Sequence, residues 1–332
     1  MPLARGVSPR TSSRFGIYLT TLAAAIALAS PATAQSWPAK PIKLVQGFAA
    51  GGNGDIIARL VAQNISGPLG QAVIVEGRTG GGGNLASDFV AKSPADGYTI
   101  ILLTGGHAVS AALYKQLPFD PIEDFSMVSL VSLFSFLVAT GPDSPLKTIA
   151  DIIAISKKSP GSLSFTSAGT GTTQHLAGEL FKSAAGIDMI HVPYRGGMAP
   201  VTDVMAGRVS LMFETFTPTL PQIKAGKLRA LGVTSLNRSS ILPDLAPVAD
   251  TVPNFEVTSW MGIAAPAKLP GPILERLNRE MLRAIASSEA RDRLISLSAD
   301  PRSSTPAEMR AHLVAEVAKW KRVVEMAKIE RQ

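Results

Sequence analysis

Residues 41–61 read PIKLVQGFAAGGNGDIIARLV. The first eight form a β-branched, apolar run suited to a strand, and residues 49–55 form a glycine loop. Ile56, Ile57, Leu60 and Val61 then recur at helical spacing. This reading is strand, glycine turn, helix, with the helix opening near Asp55. The grammar continues with a strand over 72–76, consecutive glycines at 80–83, a helix over about 84–91, the turn SPADG at 93–97 and a strand over 98–103. Strands alternating with helices at this spacing predict parallel pairing through right-handed crossovers. The unit recurs downstream as a strand over 163–167, the loop AGTGTT at 168–173 and a helix from about 174 to 185.

Residues 125–140 (FSMVSLVSLFSFLVAT) are extended and too long for one strand of a small sheet, at ~3.3 Å per residue. A segment that leaves one sheet and enters another explains the length. Residues 255–264 (FEVTSWMGIA) make the return crossing. Between them a capping box from Thr148 to Asp151 opens a helix. Strands near 187–192, 209–213 and 228–234 and a helix through 201–205 follow. After Pro270, Leu274, Leu277, Met281 and Ile285 share a helix face. A second capping box, Thr305 to Glu308 with Pro306 at the first helical position, starts a helix whose stripe is Met309, Leu313, Val317, Trp320 and Val324. The expected architecture is α/β, with two parallel or mixed sheets joined by two hinge-crossing segments. Domain one takes 36–135 plus 258–332, and domain two takes 136–257.

The chain has 332 residues, a formal charge of +7 and no cysteine, which removes disulfides, thiol nucleophiles and Cys-bound metals. Arg5, Arg10 and Arg14 precede an apolar run over about 15–29, and Ala32-Thr33-Ala34 offers a small-x-small site, so residues 1–34 read as a signal peptide cut between Ala34 and Gln35. Removing those 34 residues and their three arginines leaves 298 residues at +4. So mild a charge, with 6% aromatics, gives no nucleic-acid footprint. Export to the periplasm is the expected localisation.

A glycine turn leading into a helix exposes backbone N–H groups at the positive end of the helix dipole, a place for phosphate, sulfate or carboxylate. Each loop taken alone reads as readily as a tight connection. Other motifs fail. Neither loop has the spacing of the dinucleotide fingerprint, no Gly-Lys-Ser/Thr exists, and no Gly-x-Ser-x-Gly elbow exists. His107, His175, His191 and His312 lack metal-ligand spacing. Arg78 and Arg195 lie in loops near the expected cleft and read as solvated, and Asp55 suits a helix N-cap.

Ordered along the chain are residues 48–55 (FAAGGNGD), 76–84 (EGRTGGGGN), 94–98 (PADGY), 167–179 (SAGTGTTQHLAGE), 191–196 (HVPYRG), 203–213 (DVMAGRVSLMF), 224–231 (KAGKLRAL) and 259–266 (SWMGIAAP). Together they resemble the Bug-type extracytoplasmic solute receptors, the binding components of tripartite tricarboxylate transporters. The resemblance covers essentially the whole chain after the leader. It implies a two-domain periplasmic binding protein fold, a Venus-flytrap, that closes on a small carboxylate. Two loops would grip one carboxylate like pincers, largely through backbone groups and ordered water. Carried over, Ala49, Ala50, Gly51 and Gly52 supply one jaw, and Ser167, Gly169, Thr170 and Thr172 the other. Phe48 flanks the ligand. Thr104 and His107 follow the strand over 98–103 and are placed to reach its distal part, as is Tyr194 after the strand near His191, for which a core role reads equally well. The family often has His-x-x-Asn-Pro where this chain has His107-Ala108-Val109-Ser110-Ala111, and commonly Asp where it has Glu214; both departures lie where ligand selectivity is expected to be set, so no particular substrate is carried over.

The expected function is capture of a small organic anion by a monomeric receptor and delivery to membrane transporter subunits, with no cofactor, metal or nucleic acid. A sensor subunit that presents its closed form to a membrane receptor kinase is the alternative. A third reading, an enzyme using His107 or His175 with Glu179, lacks a nucleophile–base arrangement in the sequence.

Overall fold

β1 (Ile42–Gln46) runs into the glycine turn, and the turn into α1 (Asn53–Leu69). The structure, a computed structural model, describes residues 1–4, 6 and 37–332. The apolar leader run and the expected cut between Ala34 and Gln35 lie outside the described residues. The chain continues through β2 (Val73–Gly77), a 3-10 turn at Gly81–Gly83, α2 (Asn84–Ala91), β3 (Thr99–Thr104) and α3 (Gly105–Leu113). β1 pairs in parallel with β2 on one side and β3 on the other, as the alternation requires. The helix after the first turn opens at Asn53 rather than near Asp55. Asp55 is therefore no N-cap. It is the third residue of α1, within its first turn, where Oδ2 accepts from the Gly51 N–H at 3.1 Å and Arg59 pairs with Oδ1 at 3.0 Å.

β4 (Phe125–Thr140) is the long crossing strand. Its first part, to Ser135, lies antiparallel to β9 (Thr258–Pro266). From Phe136 onward it pairs with β7 (Leu211–Thr215) and β8 (Arg229–Val233). Behind β4 come α4 (Ile149–Lys158), β5 (Ser164–Ser167), α5 (Thr173–Ala185), β6 (Ile190–Pro193) and α6 (Ala199–Met205). The capping box at Thr148 and Asp151 is formed. α7 (Phe216–Lys224) follows β7 directly, and α8 (Gly271–Ala286), α9 (Ser288–Ser296), β10 (Ala299–Pro301) and α10 (Pro306–Met326) complete the chain. The order β2-β1-β3-β9-β4-β7-β5-β6 makes one continuous path of strands in which β4 belongs to both lobes. Each lobe has its own core. Leu137, Val201, Met212, Phe216 and Val233 fill the second, and the α10 stripe of Met309, Leu313, Val317, Trp320 and Val324 is buried in the first.

Thr234, fully buried, ties the two crossings together. Its hydroxyl accepts from the Phe136 N–H at 2.8 Å and donates to the Val257 carbonyl at 2.6 Å. Its backbone bonds the same two residues, at 2.9 Å each. Thr234→Val keeps the shape but strands a buried donor and acceptor, so urea unfolding is expected to show a loss of about 2 kcal/mol. An unchanged midpoint would remove the hydroxyl from the hinge.

Candidate functional site: a cleft between two lobes

Both glycine loops end on the first turn of a helix, and the topology brings those ends to one cavity of about 40 Å³. Gly52, extended at φ −81°, precedes α1. Thr172 caps α5: its Oγ1 accepts from the His175 N–H at 3.3 Å and donates to the Gly169 carbonyl at 2.6 Å. Thr104 and Thr215 hold the same place before α3 and α7. The cavity is lined by Gly52, Asn53 and Gly54 from one lobe and by Thr173, Gln174 and Thr215 from the other. Phe134, Phe136, Ser259 and Met261, from the crossing strands, line it as well. Among the described residues no acceptor takes the N–H groups of Asn53, Gly54, Thr173 or Gln174. Unpaired N–H groups at helix starts carry partial positive charge and suit an anion.

Ionisable side chains are sparse here. Of the described residues lining the cavity, Glu214 alone is ionisable. Burial pushes its carboxyl above the ordinary value, against hydrogen bonds from Thr215 and Gln174 that pull it down.

The lobes touch across the mouth. The Ala49 N–H donates to the Arg195 carbonyl at 2.9 Å, and the Thr217 hydroxyl donates to Asn53 Oδ1 at 2.7 Å. The Ser110 hydroxyl donates to the Gly171 carbonyl at 3.3 Å. Glycines permit the approach. A Cβ on Gly82 would stand 2.4 Å from the Thr170 carbonyl oxygen, and one on Gly52 would stand 2.9 Å from the Gly197 nitrogen. These contacts describe a closed cleft.

Of the residues expected from sequence, Phe48, Gly52 and Thr104 line the cavity. Ala49 sits at the lip, and the Gly51 N–H is taken by Asp55. Ala50 presents its carbonyl 3.0 Å from where a Gly197 Cβ would stand. Ser167, Gly169, Thr170 and Thr172 build the turn beneath the cleft. The Gly169 N–H donates to Ser167 Oγ at 3.0 Å, and the same hydroxyl is hydrogen-bonded to His191 Nε2 at 2.6 Å. His191 stacks on His175 at 4.2 Å, and burial pushes them down to about 4 and about 3, which keeps both neutral. Tyr194 donates its hydroxyl to Asp203 Oδ2 at 2.5 Å, outside the lining. His107 lies among Phe119 and Phe125, with both ring nitrogens engaged by Ser87 and Pro121. Arg78 is paired with Glu76 at 2.6 Å and stacked over Phe89 at 3.4 Å.

A profile described as "Tripartite tricarboxylate transporter family receptor" matches residues 57–329. The chain belongs to that family. Three solved structures show what this receptor is similar to. An R. palustris protein, Rpa4515 with adipate, superposes with a TM-score of 0.86 at 34% identity, covering 89% of this chain and 100% of that one. The periplasmic binding protein BugD gives 0.85 at 32% identity, over 89% and 100%. MatC from Rhodopseudomonas palustris with bound malate gives 0.83 at 28%, over 87% and 100%. The receptor therefore has the two-domain periplasmic binding protein fold. Among its described residues no helix is long and apolar enough to cross a membrane, and no cluster of His, Cys, Asp or Glu could hold a metal ion.

The receptor's cleft includes groups that the sequence reading did not place. Gln174 and Asn53 stand inside the quoted motifs, each at the first turn of a helix, and that position was the available signal. Gly197 directly follows the quoted HVPYRG. Phe134, Phe136 and Ser259 are read as crossing strands, and a strand crossing between lobes necessarily lines the space between them.

Proposed function

We propose that this receptor captures a small carboxylate anion between its lobes in the periplasm and delivers it, closed, to the membrane subunits of a tripartite transporter. The domains that move are 36–135 plus 258–332 against 136–257, and the leader is removed between Ala34 and Gln35. Binding proceeds without turnover. The observation that carries the reading is the convergence of helix starts from both lobes, with unpaired N–H groups, on a cavity lined by no Lys, Arg or His among the described residues. A ligand that meets both sets of donors favours the closed state, because only there are both in reach. Adipate and malate in the similar structures support a carboxylate. Ser167, Gly169, Thr170 and Thr172 act by shaping the second jaw, and Ala49, Ala50 and Gly51 by shaping the first.

The test is thermal unfolding of the purified protein with small carboxylates and their matching amides. An acid at a hundred times its Kd is expected to stabilise by ~2.7 kcal/mol, and its amide by far less. Equal shifts from acid and amide would defeat the anion reading, and conversion of any bound acid would defeat the claim of no turnover.

A further inference from the structure

Glu214 is the penultimate residue of β7, just before α7, and it is 5% exposed. Its two oxygens differ. Oε1 accepts from the Thr215 N–H at 2.7 Å, from the Thr215 hydroxyl at 3.0 Å and from Gln174 Nε2 at 3.4 Å. Oε2 accepts from nothing among the described residues, yet it is not among the buried, unpartnered atoms sealed from solvent. Because the residue lines the cleft, Oε2 is the atom left open to a ligand. The neighbours bonded to the carboxyl, Gln174 and Thr215, are uncharged, and no described cation lines the cavity.

An oxygen so placed on a residue only 5% exposed takes its missing hydrogen bond from water or from a ligand. Helix starts attract one anionic group, but nothing in the lining neutralises a second one placed beside Glu214. With Glu214 ionised, a second carboxylate placed there meets like charge. A hydroxyl or an ammonium would instead supply the missing hydrogen bond, charge-assisted where either partner is ionised. It would also offset the burial that raises the Glu214 carboxyl.

We propose that Glu214 is a specificity-determining residue whose Oε2 accepts a hydrogen bond from the ligand, so that this cleft selects a carboxylate bearing a hydroxyl or ammonium group over a plain dicarboxylate. The proposal rests on the anion-capture reading above and names the ligand class for that site.

The experiment is calorimetric titration of the full chain with a matched series of three to six carbons. Malonate through adipate are set against the ω-hydroxy and ω-amino acids of equal length. At its best length, an ω-hydroxy or ω-amino acid is expected to bind at least tenfold tighter than the dicarboxylate. Glu214→Gln retains an acceptor for Thr215 and puts an NH₂ group where Oε2 stood, so that preference should fall at least tenfold. Glu214→Asp draws the carboxyl back and should move the best length up by one carbon, which gives a second readout should the Gln variant fail to fold. Dicarboxylates binding as tightly as their partners at every length, or an unchanged ratio in folded Glu214→Gln, would overturn the proposal. If the dicarboxylates bind, the anion reading survives that failure. If no carboxylate of any kind binds, the anion reading itself fails.

Discussion

Gly52→Ala is expected to weaken carboxylate binding by about 10- to 100-fold while leaving the unliganded protein close to its original stability. The residue is extended at φ −81° and ψ 171°, which any L-amino acid can adopt, so the backbone does not resist the change. A Cβ there stands 3.4 Å from the Ala49 carbonyl oxygen of its own loop, close to ordinary contact. Across the cleft it meets the Gly197 nitrogen at 2.9 Å and Cα at 3.3 Å, both backbone and unable to rotate aside. The clash therefore exists only when the lobes meet. Overpacking of this kind costs about 1–3 kcal/mol, and a ligand that needs closure bears it as lost affinity. Ala in place of Gly as N-cap takes up to about 1 kcal/mol from the helix, and the Gly52 N–H keeps its bond to the Ala49 carbonyl at 3.4 Å. Titration calorimetry with any carboxylate that binds the wild type, alongside urea unfolding of the apoprotein, separates the two effects. Unchanged affinity in both Gly52→Ala and Gly52→Val would mean that the lobes need not approach this closely.

Much of the scaffold was legible because its signals are local. The capping boxes at Thr148 and Thr305 fix helix starts by side-chain chemistry alone. The length of residues 125–140 forced a crossing, since one lobe's sheet cannot hold it. Two helices beside the cleft were not legible. α7 (FTPTLPQIK) holds Pro218 and Pro221, and α3 (GGHAVSAAL) opens on two glycines, so propensity argues against both. The burial of Phe216 and Leu220 and of Val109 and Leu113 holds them in helix regardless. The site follows the same division. Loops that bear glycine could be found, whereas the lining from Phe134 and Ser259 depends on where the crossing strands come to rest. His107 shows how a side chain's direction escapes the sequence. A polar residue just past a strand end reads as a ligand group, but α3 turns its ring into the aromatic core.

That placement makes His107 an acid-sensitive point in the fold. The Pro121 carbonyl lies 2.8 Å from Nε2, so the proton sits on Nε2 and Nδ1 accepts from the Ser87 hydroxyl at 3.2 Å. Phe119 stacks on the ring at 5.6 Å and Phe125 meets its edge at 5.1 Å. Burial lowers the ring to about 4, although the Pro121 carbonyl and the charge of Asp120 pull it upward. In the unfolded chain the ring takes its proton near pH 6.5. Between those values the unfolded state binds a proton that the native state refuses, so stability falls as the pH drops from 6.5 and levels off near 4. At ~1.4 kcal/mol per pH unit, this one residue removes about 3 kcal/mol across the window. His175, also buried and lowered, adds to the slope in the same direction. His107→Gln keeps an N–H to offer Pro121 and has no proton to gain. Its urea midpoint should be lower than wild type at pH 7.5, yet its loss between pH 6.5 and 4 should be about 3 kcal/mol smaller. Parallel stability curves for the two proteins would show that the ring is protonated in the fold, and that Ser87 and Pro121 do not hold it neutral.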